Sequence, residues 1–277
     1  MHPPTRRDFL TMLPAAGLSA SWLASAARAQ QPAPTQREDN KMPRTVRYEL
    51  LRPGELREIV EATPIAYVAF GSLEWHGQHL PVGCDTLKAH AVLTRAAEQA
   101  GGVVLPPVYF GYLGPWKPFT FHGLEEEAID ELYGMIFRSL VHWGFKVLIG
   151  ITGHNVKEQR AAIQRAIDSV AKPGEIVGAA GWEVDFAEDR QNCNTDHAAK
   201  WETSDMMHLY PECVDMSLLS DADFQGEKLS DGPPYVGGIG GLDPREHASA
   251  EVGERCIELA AAGVAKKARE LLASIKG

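Results

Sequence analysis

The densest run of chemistry-bearing side chains is Gly71-Ser72-Leu73-Glu74-Trp75-His76-Gly77-Gln78-His79-Leu80-Pro81-Val82-Gly83-Cys84-Asp85-Thr86. In extended backbone Glu74 and His76 share a face, because side chains alternate with a period of two. A carboxylate and an imidazole converging there suit a divalent cation of borderline hardness. Gly77 and Gly83 let the intervening chain fold back, so that Asp85 can join the pair. Asp85 also stands where a helix is expected to begin, and a carboxylate there serves equally well as a cap. Ligation and capping are both open for it.

Two further elements carry the same types of residue. In Thr152-Gly153-His154-Asn155 a glycine after an apolar run allows a sharp turn from which His154 projects. Taken alone, such a histidine is more often structural than a ligand. The third element is Asp196-His197-Ala198-Ala199-Lys200-Trp201-Glu202-Thr203-Ser204. Its plain account is a helix start with an acid in the first turn. Each element is weak separately; in this order together they are not.

Something must bring the three together. Short apolar runs rich in β-branched residues recur at 65–72, 102–110, 146–152 and 175–181, separated by helix-period segments at 86–99, 125–143 and 157–171. Near-continuous apolar strands alternating with helices predict an α/β protein with a parallel sheet covered on both faces. A final segment, 249–275, spaces Val252, Cys256, Leu259, Ala260, Val264, Leu271 and Leu272 at three- and four-residue steps and predicts a closing helix. Ligands of such sheets bind beyond the carboxyl ends of the strands. That places three histidine-bearing loops on one rim.

Composition narrows the class. The 277 residues hold 27 Lys+Arg against 37 Asp+Glu, a net charge of −10, with 44% apolar residues. This excludes collagen-like, disordered and multi-span membrane chains, and the acidic balance argues against a nucleic-acid binder. Thr5-Arg6-Arg7-Asp8-Phe9-Leu10, an apolar stretch at 13–23 and Ala27-Arg28-Ala29 read as a twin-arginine type signal over 1–29. The stretch is too short and too polar to span a bilayer. The expectation is a periplasmic or secreted protein, free of the membrane after cleavage, with a disordered lead-in at 30–43 and one domain over 44–277. Of the cysteines at 84, 193, 213 and 256, Cys193 and Cys213 are the pair expected to bridge after export.

The motifs resemble those of the creatininase (creatinine amidohydrolase) family. Gly71 through Asp85 meets its G-S-x-E-x-H-G-x-H-L-P-x-G-x-D pattern. His197 through Ser204 meets H-A-G-x-x-E-T-S, with Ala199 where glycine is usual. Gly153-His154 meets G-H-x-x-N only in part, and Gly241-Leu242-Asp243-Pro244 with Ala248, Glu251 and Gly253 meets a late G-x-D-P-x-x-A-x-x-E-x-G pattern.

The resemblance implies a three-layer α/β/α fold with a mainly parallel central sheet, and a dinuclear centre. Its ligands would be Glu74, His76, Asp85, His154 and Glu202, with Asp85 bridging. Two divalent ions (Zn, Mn or Fe) are the expected cofactors. Three clustered carboxylates and a bridging hydroxide crowd like charge, which two such ions balance and one does not. In creatinine-hydrolysing members a glutamate ligand follows the G-H histidine by two residues. Here Val156 stands in that place, so its role falls to Glu202 or one metal position is weakened, and creatinine itself is not the expected substrate.

His197 is the candidate proton donor to a leaving nitrogen, and His79 a residue that orients a ligand rather than binding metal. Trp182 and Trp201 are candidate pocket walls, with ordinary packing as the alternative. The expected reaction is hydrolysis of a C–N bond in a small cyclic or formyl-type amide. Two alternatives stay open: a lactone hydrolase on the same site, and an inactive metal- or ligand-binding protein. The family also implies a homo-oligomer, often a hexamer.

Overall fold

The computed structural model describes residues 44–112, 119–121, 123–224 and 238–275; the expected export signal and lead-in lie outside the described residues. Strand β1 (Ile65–Phe70) is buried at all six positions, as a strand must be when both faces of its sheet are covered. It pairs with β2 (Val103–Val104) on one side and β3 (Val147–Thr152) on the other, and β3 pairs with β4 (Val177–Trp182). The order is β2-β1-β3-β4 and every pairing is parallel. Phe70 lies opposite Thr152, and Thr152 opposite Trp182. The carboxyl ends of three strands therefore finish level, and the loops leaving them start from one line.

The period-two alternation divides the strands between two cores. Ile65, Tyr67, Ala69, Val147, Ile149 and Ile151 face a core shared with buried residues of α2 (Cys84–Ala100) and α7 (Ala250–Ser274). Ala66, Val68, Phe70 and Leu148 face a second core, filled from α1 (Pro53–Ala62), α3 (Glu126–His142) and α4 (Lys157–Asp168). The architecture is three-layer α/β/α. Two further helices, α5 (Lys200–Leu209) and the single turn α6 (Pro244–His247), follow the sheet. Among the described residues no helix is long and apolar enough to cross a membrane.

Two expectations need correction. The run 102–110 forms only the two-residue β2, followed by a single parallel bridge from Val108 to Phe70. Pro106 and Pro107 intervene, and neither has an N–H to continue a ladder. Cys193 and Cys213 are not paired. Cys193 lies in the core with its sulfur 3.1 Å from that of Cys256, and Cys213 is exposed on a short turn after α5. All four cysteines are free thiols. The face of α7 that packs on the sheet carries Cys256 inward, which sequence distance does not reveal.

Candidate metal centre

Beyond β1 the chain leads to His76, whose Nδ1 lies 3.0 Å from the carbonyl oxygen of Glu74. Donation of the Nδ1 proton there leaves Nε2 as the lone-pair nitrogen. Asp85 sits in the first turn of α2, but the N-cap position is Gly83, which provides no side-chain cap. The Asp85 carboxylate instead points across the strand ends. Its Oδ1 is 3.0 Å from His76 Nε2 and its Oδ2 is 3.1 Å from His154 Nδ1. Ser72 Oγ donates to Oδ2 at 2.6 Å and holds that orientation. Of the two roles open to Asp85, the geometry is that of a bridge.

Each side of the bridge has one more carboxylate. Glu202, in the first turn of α5, puts Oε2 3.2 Å from His76 Nε2, where it also accepts the Ala198 N–H at 2.6 Å. Glu74 puts Oε2 3.0 Å from His154 Nδ1. One donor set is thus His76 Nε2, Asp85 Oδ1 and Glu202 Oε2. The other is His154 Nδ1, Asp85 Oδ2 and Glu74 Oε2. All five residues are buried, none more than 7% exposed.

The approach of these elements is tight. A Cβ on Gly153 would fall 2.0 Å from the Asp85 carbonyl oxygen, and one on Gly71 would fall 2.2 Å from Thr86 Oγ1. Glycine at the ends of β3 and β1 is what allows α2 to start against the sheet.

Electrostatics bind the cluster together. Burial alone would depress His76, yet the charges of Asp85 and Glu202 carry it well above its ordinary value. His154 is likewise penalised by burial and still raised to about 9 by Asp85 and Glu74. Burial would raise Glu74, but the His154 hydrogen bond brings it down to about 2. Asp85, against the same burial, is held well below the usual carboxylate range by His76 and His154.

In the absence of a cation, protons on the imidazoles play the positive part. A divalent ion suits the position better. His76 Nε2 is buried with two carboxylate oxygens beside it and makes no hydrogen bond. Imidazole and carboxylate donors in two sets of three fit zinc, manganese or iron. Cys84 Sγ also lies near His76 and Glu202, but burial, and then the Glu202 charge, push the thiol well up and keep it neutral.

His197 stands over this centre. Its ring is 4.7 Å from that of His76, and its ring nitrogen belongs to a group with Glu74 and His76 whose donor atoms all lie within 4.8 Å. It is half-buried, and an antiparallel bridge to Gly240 fixes its backbone. Asn155 Nδ2 donates to Thr195 Oγ1 at 2.8 Å and to the Asp196 carbonyl at 3.0 Å, tying the β3 loop to the His197 loop.

His79 Nε2 is 2.9 Å from Thr203 Oγ1, the residue after Glu202. Burial lowers it to about 4, so it stays neutral. Trp182 ends β4 with the Arg160 guanidinium 5.0 Å over its ring. Trp201 packs on the α2–α7 core, with the Lys200 ammonium 4.1 Å over it. That is the packing alternative.

Three charged residues around Glu202 were given no role from the sequence. Lys88 and Glu183 are fully buried behind Glu202. Asp196 accepts the backbone N–H groups of Trp201 and Glu202 and so secures the start of α5. Lys88 follows Asp85 by three residues on a helix, which puts the two on one face; that spacing was the available signal.

A family model described as creatinine amidohydrolase matches residues 49–268. The chain belongs to the creatininase family. It is 28% identical over 233 residues to a creatinine amidohydrolase of Pseudomonas putida, covering 72% of this chain and 86% of that one. It is 29% identical over 212 residues to a mycofactocin precursor peptide peptidase of Mycolicibacterium smegmatis, covering 72% and 82%. A crystal structure of creatininase superposes with a TM-score of 0.68 at 25% identity, covering 82% of this chain and 98% of that one. Solved creatininases of similar likeness include a mutant described as Zn-Zn type and a form described as Mn, each 26% identical with TM-score 0.67 and 82% and 98% coverage.

Within this creatininase-family chain, Val156 is the N-cap residue of α4. The carboxylate beside His76 comes from Glu202 on α5.

Proposed function

We propose that this chain is a metal-dependent amidohydrolase that cleaves the C–N bond of a small cyclic or formyl-type amide, and that its centre takes two divalent ions, zinc, manganese or iron. The observation that carries the reading is the splitting of one buried carboxylate, Asp85, between His76 on one oxygen and His154 on the other. Glu202 and Glu74 complete the two sides. Ions bound there supply Lewis acidity and bring the pKa of water from 15.7 towards about 7.

The chain's own residues do the rest. Glu74, His76, Asp85, His154 and Glu202 hold the ions, and the Ser72 hydroxyl keeps the shared carboxylate facing both ways. His197, half-buried beside the His76 ring, delivers a proton to the departing nitrogen. The Asn155 side chain and the Gly240 backbone keep its loop in place. Both curated relatives carry names that denote amide or peptide cleavage, which supports a C–N bond over a lactone. The motif at 1–29 supports export, and the family resemblance supports a homo-oligomer.

The test is a panel of lactams, cyclic ureides, N-formyl amines, lactones and short peptides offered to metal-loaded protein. Turnover is expected on the small amides. Turnover on lactones alone, on peptides alone, or on nothing would overturn the reading.

A further inference from the structure

An ammonium group is costly to bury and is stable inside a protein only when paired. Lys88 is fully buried, on the first core face of α2, one turn after Asp85. Its Nζ is 2.5 Å from Glu202 Oε1 and 2.8 Å from Glu183 Oε1, with Thr195 Oγ1 at 3.4 Å. A Cβ on Gly153 would come within 3.0 Å of its Cε, so the stem lies against the end of β3. One side chain thus reaches from α2 past the end of β3 to the residue after β4 and to α5.

The effect on Glu202 is specific. A free carboxylate can turn about its last torsion and offer either oxygen, or both, to a cation. In this protein the two oxygens have separate partners. Oε1 is held by Lys88, and Oε2 is held by the Ala198 N–H at 2.6 Å and faces His76 Nε2. On the other side of the bridge, Glu74 Oε2 faces His154 Nδ1.

We infer that Lys88 is a positioning residue that fixes Glu202 as a single-oxygen ligand, and that it thereby sets the affinity of the ion on the His76–Glu202 side without touching the ion on the His154–Glu74 side. This rests on the two-ion reading given above. Residues that hold a ligand from behind typically contribute about 10–100-fold to metal affinity.

Lys88→Met alone leaves two buried carboxylates facing one another, which destabilises the fold, so the informative variant is Lys88→Met/Glu183→Gln, which removes the clamp and its second carboxylate together. Binding of Co²⁺ or Zn²⁺ is followed by competition with a chelating dye, in the parent, in this variant, in Glu202→Gln, and in the combination of all three substitutions. The expected result is a 10–100-fold loss of affinity for one ion and less than about threefold change for the other. The combined variant should lose little beyond Glu202→Gln, because residues acting through one interaction are not additive.

Unchanged affinity for both ions would overturn the inference. Equal weakening of both, or losses that simply add to those of Glu202→Gln, would also overturn it, since either marks a general structural role. A parent protein that binds no ion would instead overturn the metal reading itself.

Discussion

At the scale of single residues, the centre turns on what each side chain does with its second polar atom. Asp85 divides its oxygens between two imidazoles, and His76 spends Nδ1 on the Glu74 carbonyl so that Nε2 faces the carboxylates. His197 differs from the five cluster residues in being half-buried rather than buried. Its replacement by alanine should therefore leave metal content unchanged and lower kcat on the true substrate by about 10²–10⁴-fold, the usual worth of a proton donor. Parental kcat in the metal-replete variant would show that the nitrogen leaves without its help.

Glu74 and His76 were legible from the strand period and Asp85 from the glycines between, with capping open as its alternative; His154 and Glu202 joined them only through the family resemblance. Lys88 could be read only as sharing a helix face with Asp85, and Glu183 not at all. A lysine on an amphipathic helix reads as solvated until its partners are known, and those partners lie 95 and 114 residues further on.

At the scale of elements, the common register of β1, β3 and β4 is what turns three separated motifs into one centre. The alternation of apolar runs and helices made that sheet readable. The length of β2 was not, because the prolines that stop it fall inside an otherwise strand-like run. The inward face of Cys256 was not readable either, since it depends on how α7 turns against the loop that carries Cys193.

The closest joint in the rim is Gly153 against the first turn of α2. Gly153→Ala must push β3 and α2 apart, and overpacking of this kind costs about 1–3 kcal/mol or more. Denaturant unfolding should show that loss together with weaker metal uptake. Gly54→Ala, on α1 with nothing within 4 Å of the added carbon, should show neither. Equal stability of the two variants would mean that the rim tolerates the extra carbon and that its tightness is not what holds the centre together.

At the scale of the whole molecule, the chain gathers three carboxylates and two imidazoles in a buried place while carrying a net charge of −10 overall. Such a cluster needs positive charge inside it. Without metal, that charge is protons: His154 is raised to about 9 and His76 well above its ordinary value by the carboxylates, against the opposing effect of burial. Near pH 7.5 both imidazoles of the metal-free protein therefore carry a proton, which an incoming ion must displace, because a ligating histidine is neutral. Apparent affinity should accordingly rise with pH, and the rise should become shallower once His154 has deprotonated by itself, near pH 9.

The most direct measurement is a calorimetric titration of chelator-stripped protein with Zn²⁺ or Mn²⁺ at pH 7.5, repeated in buffers of different ionisation enthalpy so that released protons are counted. The expected result is two ions per chain with about two to three protons released, one for each imidazole freed and up to one more from water that ionises at the centre. A protein that takes up no divalent ion, or that binds one without giving up protons, would contradict a metal centre built on His76, Asp85 and His154.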